Sequence, residues 1–287
     1  MNSLCLFASY YTSSEIPYYV KVYLRQLRRN FSKTVLLSSK EITKEDSEFL
    51  KSENIEFQLE KNEGFDFGLW YKAFQKINVS EYDQIALVND SCVLFRSLDP
   101  FMAWASKDNA DVKGMTISEA ITPHIQSYFM ILNKKAIALA ASYFNEHKLK
   151  ADINEVIQTY ELGLNKSFTE NGLKLSSFVD NDGYQGEFSP YYKCVDYHLQ
   201  KGIPLIKTKI LFSSYRKDEL PNLARMGFNI DVDHYYQLIA KQKDLLIDPI
   251  EFKNQNSPQM SSVEVLAYNL KRSLIKIVRP AYNAVKK

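Results

Sequence analysis

Solid runs of apolar residues alternate with amphipathic stretches along the first third of the chain. Residues 4–8 (LCLFA) are such a run and predict a buried strand. Pro17 then opens a helical stretch in which Val20, Tyr23, Leu24 and Leu27 share one face, while Lys21, Arg25, Arg28 and Arg29 fall mostly elsewhere. Proline in a first helical turn costs little, because that N–H would be unpaired anyway. Residues 34–37 are the next apolar run, and Thr43 stands where it can cap a helix beginning Lys-Glu-Asp. Residues 55–59 alternate as a strand and 64–77 are helical. Residues 84–88 form an apolar strand ending in polar Asn89-Asp90-Ser91.

This β-α-β-α-β-α-β order predicts an α/β fold, a parallel sheet with helices on both faces. In such sheets ligands bind beyond the carboxyl ends of strands. Two of those ends are informative: Ser9-Tyr10 after the first strand and Asn89-Asp90-Ser91 after the fourth. The pattern then becomes less regular. It predicts a short helix at 98–105, strands at 112–116 and 127–132, and helices at 133–146 and 153–171. A polar loop at 180–189, a helix at 191–201 stopped by Gly202, and a strand at 204–211 come next. Helices at 216–226 and 232–246 are followed by a polar linker at 249–261.

Residues 262–287 read as a basic amphipathic helix. Val263, Leu266, Ala267, Leu270, Leu274, Ile277 and Val278 share a face, with Arg272, Lys276 and Arg279 opposite. That is the pattern of an interfacial helix drawn to anionic lipid, although the same face could dock on protein.

Composition narrows the class. A chain of 287 residues can bury a sizeable core in one large domain or two small ones. Lys and Arg (36) nearly balance Asp and Glu (34), so no whole-molecule field points to nucleic acid. Cys5, Cys92 and Cys194 are far apart, which argues against a disulfide framework and a cysteine-rich zinc site. Neither a signal peptide nor a run of ~20 apolar residues is seen, so the expectation is a cytoplasmic protein, peripheral at most to the inner membrane face.

Several groups could carry chemistry. Asn62-Glu63-Gly64-Phe65-Asp66-Phe67-Gly68 follows a strand and opens a helix. Gly64 allows a tight turn, the helix N-terminus offers N–H groups to a phosphate, and Asp66 could accept from a ribose or a base. A plain turn with Asp66 as a first-turn charge fits the same residues. Asn89-Asp90-Ser91 could hold a diphosphate through Mg²⁺ or Mn²⁺, or simply close the strand with an Asx turn. His124 could serve as a base or bond a loop carbonyl. Lys207 could meet a phosphate and His198 a metal, or both could be ordinary edge residues.

Together these residues resemble the family of rhamnan synthesis protein F, glycosyltransferase-like proteins of bacterial polysaccharide and lipopolysaccharide assembly. The resemblance rests on FASY with PYYVKVYLRQL, then NEGFDFGLW, YDQIALVNDSC, PHIQSYFMIL and GIPLIKTKIL, in that order, over residues 4–212. It implies a GT-A-like, Rossmann-type single domain at 1–248 with a central mostly parallel sheet, plus C-terminal helices. Residues 1–92 would be the nucleotide-binding half and 93–248 the acceptor half. It also implies a sugar, rhamnose at the family level, moved from a nucleotide diphosphate to a glycan or lipid-linked acceptor.

On that reading Ser9 and Tyr10 approach the base, and Asn62, Gly64 and Asp66 the nucleoside. Asn89, Asp90 and Ser91 stand where similar enzymes carry Asp-x-Asp, and Gln126, Ser127 and Lys207 complete the donor contacts. Here only Asp90 of the three is charged. A divalent cation would rest on Asp90 with diphosphate oxygens, helped by His198, or be replaced by Lys207 or a helix terminus. An inverting reaction needs a base, for which His124 ranks first and Glu119 second. Loss of the second carboxylate also suits a non-catalytic glycan-binding or scaffold module. A nucleotide-metabolism enzyme is weakened by the absence of G-x-G-x-x-G and P-loop motifs.

Overall fold

The computed structural model describes residues 1–11, 13–119, 121–180, 195–211 and 232–256. The chain divides into two units, Met1–Pro249 and Ile250–Lys287. The expectations for 216–226 and 262–287, and for most of the loop at 180–189, lie outside the described residues.

Strand β1 (Ser3–Ser9) is buried along its whole length, as a strand covered on both faces must be. It pairs in parallel with β2 (Lys33–Ser38) on one side and β4 (Gln84–Asn89) on the other, and β2 pairs in parallel with β3 (Glu56–Leu59). Beyond β4 the sheet turns antiparallel through β8 (Phe129–Asn133) and β6 (Val112–Ser118). Strand β6 also pairs antiparallel with the two-residue β7 (His124–Ile125) and parallel with β9 (Leu175–Val179). The order β3-β2-β1-β4-β8-β6-β7 makes the β1/β4 boundary the place where the chain reverses its direction across the sheet.

Helices form where the spacing predicts. Helix α1 (Tyr18–Asn30) starts after Pro17, buries Val20, Tyr23, Leu24 and Leu27, and ends in Arg28 and Arg29, which suit the negative end of its dipole. Helix α2 (Lys44–Ser52) is capped by the Thr43 hydroxyl, which accepts from the Asp46 N–H at 3.1 Å. Helix α3 (Phe65–Lys76) buries Phe67, Leu69, Trp70 and Ala73, and the Trp70 indole donates to the Leu6 carbonyl at 3.1 Å. The helices α4 (Asp99–Lys107) and α5 (Lys134–Glu146) follow, the latter capped by Asn133. Helix α6 (Ile153–Val156) runs through a π turn (Ile157–Leu162) into α7 (Gly163–Glu170).

Four expectations are corrected. Residues 204–211 are not one strand: β10 (Leu205–Lys207) pairs antiparallel with β5 (Cys92–Leu94), and Thr208–Leu211 is a helical turn. The reason is Thr208, whose N–H and hydroxyl both donate to the Ser91 carbonyl and turn the chain there. The strand expected from residue 127 begins at Phe129, because Ser127 and Tyr128 form the turn that separates it from β7. The helix expected at 232–246 is Val232–Ala240. After it the chain is drawn against β5's extension, where the Leu246 N–H donates to the Phe95 carbonyl at 2.9 Å. Residues 249–256 of the expected linker are helical, with proline at the first position, where it fits.

Candidate active site

The site begins with register. Ala8 lies opposite Asn89, so β1 and β4 release their next residues side by side. The Asp90 N–H donates to the Ala8 carbonyl at 3.2 Å. In return Asp90 Oδ2 accepts the Ser9 hydroxyl at 2.7 Å and the Tyr10 N–H at 2.8 Å. Tyr10 itself is 64% exposed.

Helix α3 supplies the second carboxylate. Gly64 stands before it with φ +79°, and Phe65 also lies in the left-handed region at φ +57°. A Cβ at Gly64 would come 2.8 Å from Leu149 Cδ1 and 2.9 Å from the Lys150 carbonyl oxygen, so the turn requires glycine. This tight entry brings Asp66 to β4, where the Asn89 amide donates to Asp66 Oδ2 at 2.5 Å. Asp66 Oδ1 accepts the Phe67 N–H at 3.1 Å. Asn62 is exposed upstream of this entry.

Asn89 is therefore a bridge. Its Oδ1 accepts from the Ser91 N–H at 3.1 Å and the Ser91 hydroxyl at 2.6 Å, an Asx turn of the kind expected at this strand end. Across the β5–β10 pair, the Lys207 ammonium donates to Ser91 Oγ at 2.9 Å and lies 4.5 Å from the centre of the Tyr128 ring. Burial pushes the Asp90 carboxyl up to about 7, against the opposing bonds from Ser9 and Tyr10, with the Asp66 charge adding to the rise. Burial raises Asp66 as well, despite the Asn89 bond, and the Glu161 charge adds to it.

The structure thus brings together Ser9, Tyr10, Gly64, Asp66, Asn89, Asp90, Ser91 and Lys207 from four separate stretches of sequence. It places the remaining candidates differently. Gln126 Oε1 accepts the Thr116 hydroxyl at 2.8 Å in a buried setting. Ser127 donates its N–H and hydroxyl to Glu161 at 3.4 and 3.1 Å. His124 is 7% exposed, with Nδ1 bonded to the Thr122 carbonyl at 2.7 Å, and Glu119 is exposed just past β6. Neither bonds to the Asp66–Asn89–Asp90–Ser91 cluster among the described residues. His198 is buried on the helix Val195–Gln200, and burial pushes its ring down to about 4.

Two residues that contact these candidates escaped the sequence reading. Tyr128 faces Lys207, and Glu161 meets Ser127 from a helix far along the chain. Neither carries a local signal, since each is defined only by a partner distant in sequence. Among the described residues no cluster of three or more His, Cys, Asp and Glu side chains is gathered as a metal site. No helix among them is long and apolar enough to cross a membrane.

Solved structures similar in fold include the glycosyltransferase GlyE of Streptococcus pneumoniae TIGR4, at 11% identity and TM-score 0.43, covering 88% of this chain and 62% of that one. A cytidylyltransferase from Leptospira borgpetersenii serovar Hardjo-bovis is similar at 11% identity and TM-score 0.42, covering 85% and 98%. TarS residues 1–349 from S. aureus are similar at 12% identity and TM-score 0.39, covering 92% and 77%. No curated protein matches the chain in sequence. The sequence profile of rhamnan synthesis protein F does match, over residues 34–270, and the chain belongs to that family.

Proposed function

We propose that this chain is a GT-A-like glycosyltransferase that moves a sugar from a nucleotide-diphosphate donor to a glycan or lipid-linked acceptor in bacterial surface polysaccharide assembly. One observation carries the reading. Two hydrogen-bonded networks meet at the β1/β4 boundary: Asp66–Asn89–Ser91 with the Lys207 ammonium, and, at the adjacent residue, Asp90 with Ser9 and Tyr10. That boundary is where open α/β sheets bind ligands. A family named for rhamnan makes an activated rhamnose the first donor to try.

The chemistry follows from the charges. Lys207 is a point charge for a diphosphate oxygen. Asp66 stands at the head of α3, where a ribose hydroxyl could reach its carboxylate, and the exposed Tyr10 ring offers a face to a base. Asp66 and Asp90 are two carboxylates at the same sheet boundary, both raised chiefly by burial. A hard divalent cation suits such a pair, since Mg²⁺ often uses one or two carboxylates and completes its shell with substrate phosphates and water. Asp90 would hold it, and bound there it would neutralise the departing diphosphate.

Gln126 and Ser127, on the segment entering β8, belong to the same proposal as donor contacts, and His198 as an auxiliary metal ligand. His124 and Glu119 remain the residues expected toward the acceptor. Contact with an anionic membrane face through residues 262–287, from the cytoplasmic side, completes the reading.

A thermal-shift screen of nucleoside diphosphates with and without Mn²⁺ tests it. Ligand at about 100 times its Kd should add roughly 2.7 kcal/mol to stability. The expected result is a rise with one base, larger with Mn²⁺, and its loss in Asp90→Asn. A flat response to every nucleotide, together with no transfer from any nucleotide sugar, would sink the proposal.

A further inference from the structure

Glu161 lies outside every sequence motif, yet the fold brings its carboxylate to Ser127. The helix that starts at Ile153 widens into a π turn over Ile157–Leu162 and returns to α geometry at Gly163. Single π turns are rare and are frequent at functional sites. Two contacts accompany this one. The Tyr143 hydroxyl donates to the Thr159 carbonyl at 2.6 Å. A Cβ at residue 163 would lie 2.4 Å from that hydroxyl and 3.0 Å from the Gln158 carbonyl oxygen, so glycine is what lets Tyr143 approach.

The turn faces two ways. Toward the segment that follows His124, Glu161 Oε1 accepts the N–H and hydroxyl of Ser127 at 3.4 and 3.1 Å. One turn on, Asn165 Oδ1 accepts the Ile125 N–H at 2.9 Å, and its amide donates to the Glu161 carbonyl at 2.8 Å. Toward the donor side, Tyr160 stacks on Phe67, the neighbour of Asp66, with ring centres 5.7 Å apart. The Glu161 charge is near enough to Asp66 to raise its carboxyl. His124, by comparison, has Nδ1 committed to the Thr122 carbonyl.

We propose that Glu161 is the general base that takes the proton of the acceptor hydroxyl, a role that rests on the transferase reading above. The acceptor oxygen forms a bond to the anomeric carbon of the donor sugar. The bond from that carbon to the diphosphate oxygen breaks, and its electron pair leaves with the diphosphate. The acceptor proton passes to Glu161, so the negative charge lost by the carboxylate appears on the diphosphate. Ser127 holds Oε1, which leaves Oε2 to take the proton. Attack opposite the leaving group inverts the anomeric centre.

The test uses the full-length protein and Glu161→Gln, which keeps an amide oxygen for Ser127 but cannot accept the proton. Ser127→Ala and His124→Ala are measured beside it. Readouts are kcat, KM, nucleoside-diphosphate affinity by calorimetry, and the anomeric configuration of the product by NMR. The expected result is an inverted product, with kcat lowered about 10²- to 10⁴-fold in Glu161→Gln at unchanged nucleotide affinity. Ser127→Ala should lose less than Glu161→Gln, because it leaves the base in place.

Four outcomes overturn the assignment alone: wild-type turnover in Glu161→Gln, a retained configuration, an equal loss in Ser127→Ala, or a greater loss of kcat in His124→Ala. Absence of transfer by the wild-type protein from any nucleotide sugar removes the transferase reading, and this one with it.

Discussion

The Ser9 hydroxyl donates to Asp90 Oδ2 at 2.7 Å across the ends of two adjacent parallel strands. This bond ties the first polar residue after one strand to the carboxylate after the next, 81 residues on. It holds a carboxylate that burial makes reluctant to ionise, which is a stability cost retained at a candidate site.

Asp90 should therefore trade stability for binding. Its folded value near 7 lies above its ordinary one, so the native state binds the extra proton at mildly acidic pH. The sign follows: its contribution favours folding below the unfolded value near 4 and is lost as pH rises toward 7. Asp90→Asn, whose amide oxygen can still accept from Ser9 and Tyr10, should stabilise the ligand-free protein at pH 8 by on the order of a few kcal/mol. Denaturant titrations in chelator at pH 5 and pH 8 should show the advantage shrinking at the lower pH. An equal gap at both would contradict it.

Gly64→Ala should destabilise by roughly 1–3 kcal/mol, from its positive φ and the collision with Leu149 and Lys150. Phe65→Asn at the next position should be neutral to stabilising. Phe65 is also left-handed, its side chain is 45% exposed, and Asn tolerates that backbone better. Unfolding free energies of the two variants from urea titration should move in opposite directions or differ by at least ~1 kcal/mol.

Lys207→Gln should weaken nucleoside-diphosphate binding about 10-fold or more while leaving unphosphorylated nucleoside nearly unaffected. Calorimetry with both ligands separates the two. Equal losses would place the ammonium away from the diphosphate, despite its bond to Ser91.

Gly163→Ala should lower stability by about 1–3 kcal/mol, because overpacking must push the Tyr143 hydroxyl off the Thr159 carbonyl. Tyr143→Phe removes that hydroxyl and should make room for the new Cβ. The double variant should then be less destabilised than the sum of the singles. Strict additivity would show that the clash is not with Tyr143.

Sequence alone determined the alternation of elements through β4, the helix start at Pro17, the cap at Thr43, and the polar ends at Ser9-Tyr10 and Asn89-Asp90-Ser91. Those features are local: apolar periodicity and capping chemistry are written within a few residues. Only the tertiary structure decided that β5 pairs with β10, that β9 joins β6, and that the helix after Ile153 opens into a π turn. It also decided that Lys207 reaches Ser91 across 116 residues and that Glu161 meets Ser127. Short strands and single side chains gain their energy from partners remote along the chain, and such contacts leave no period in the sequence to read.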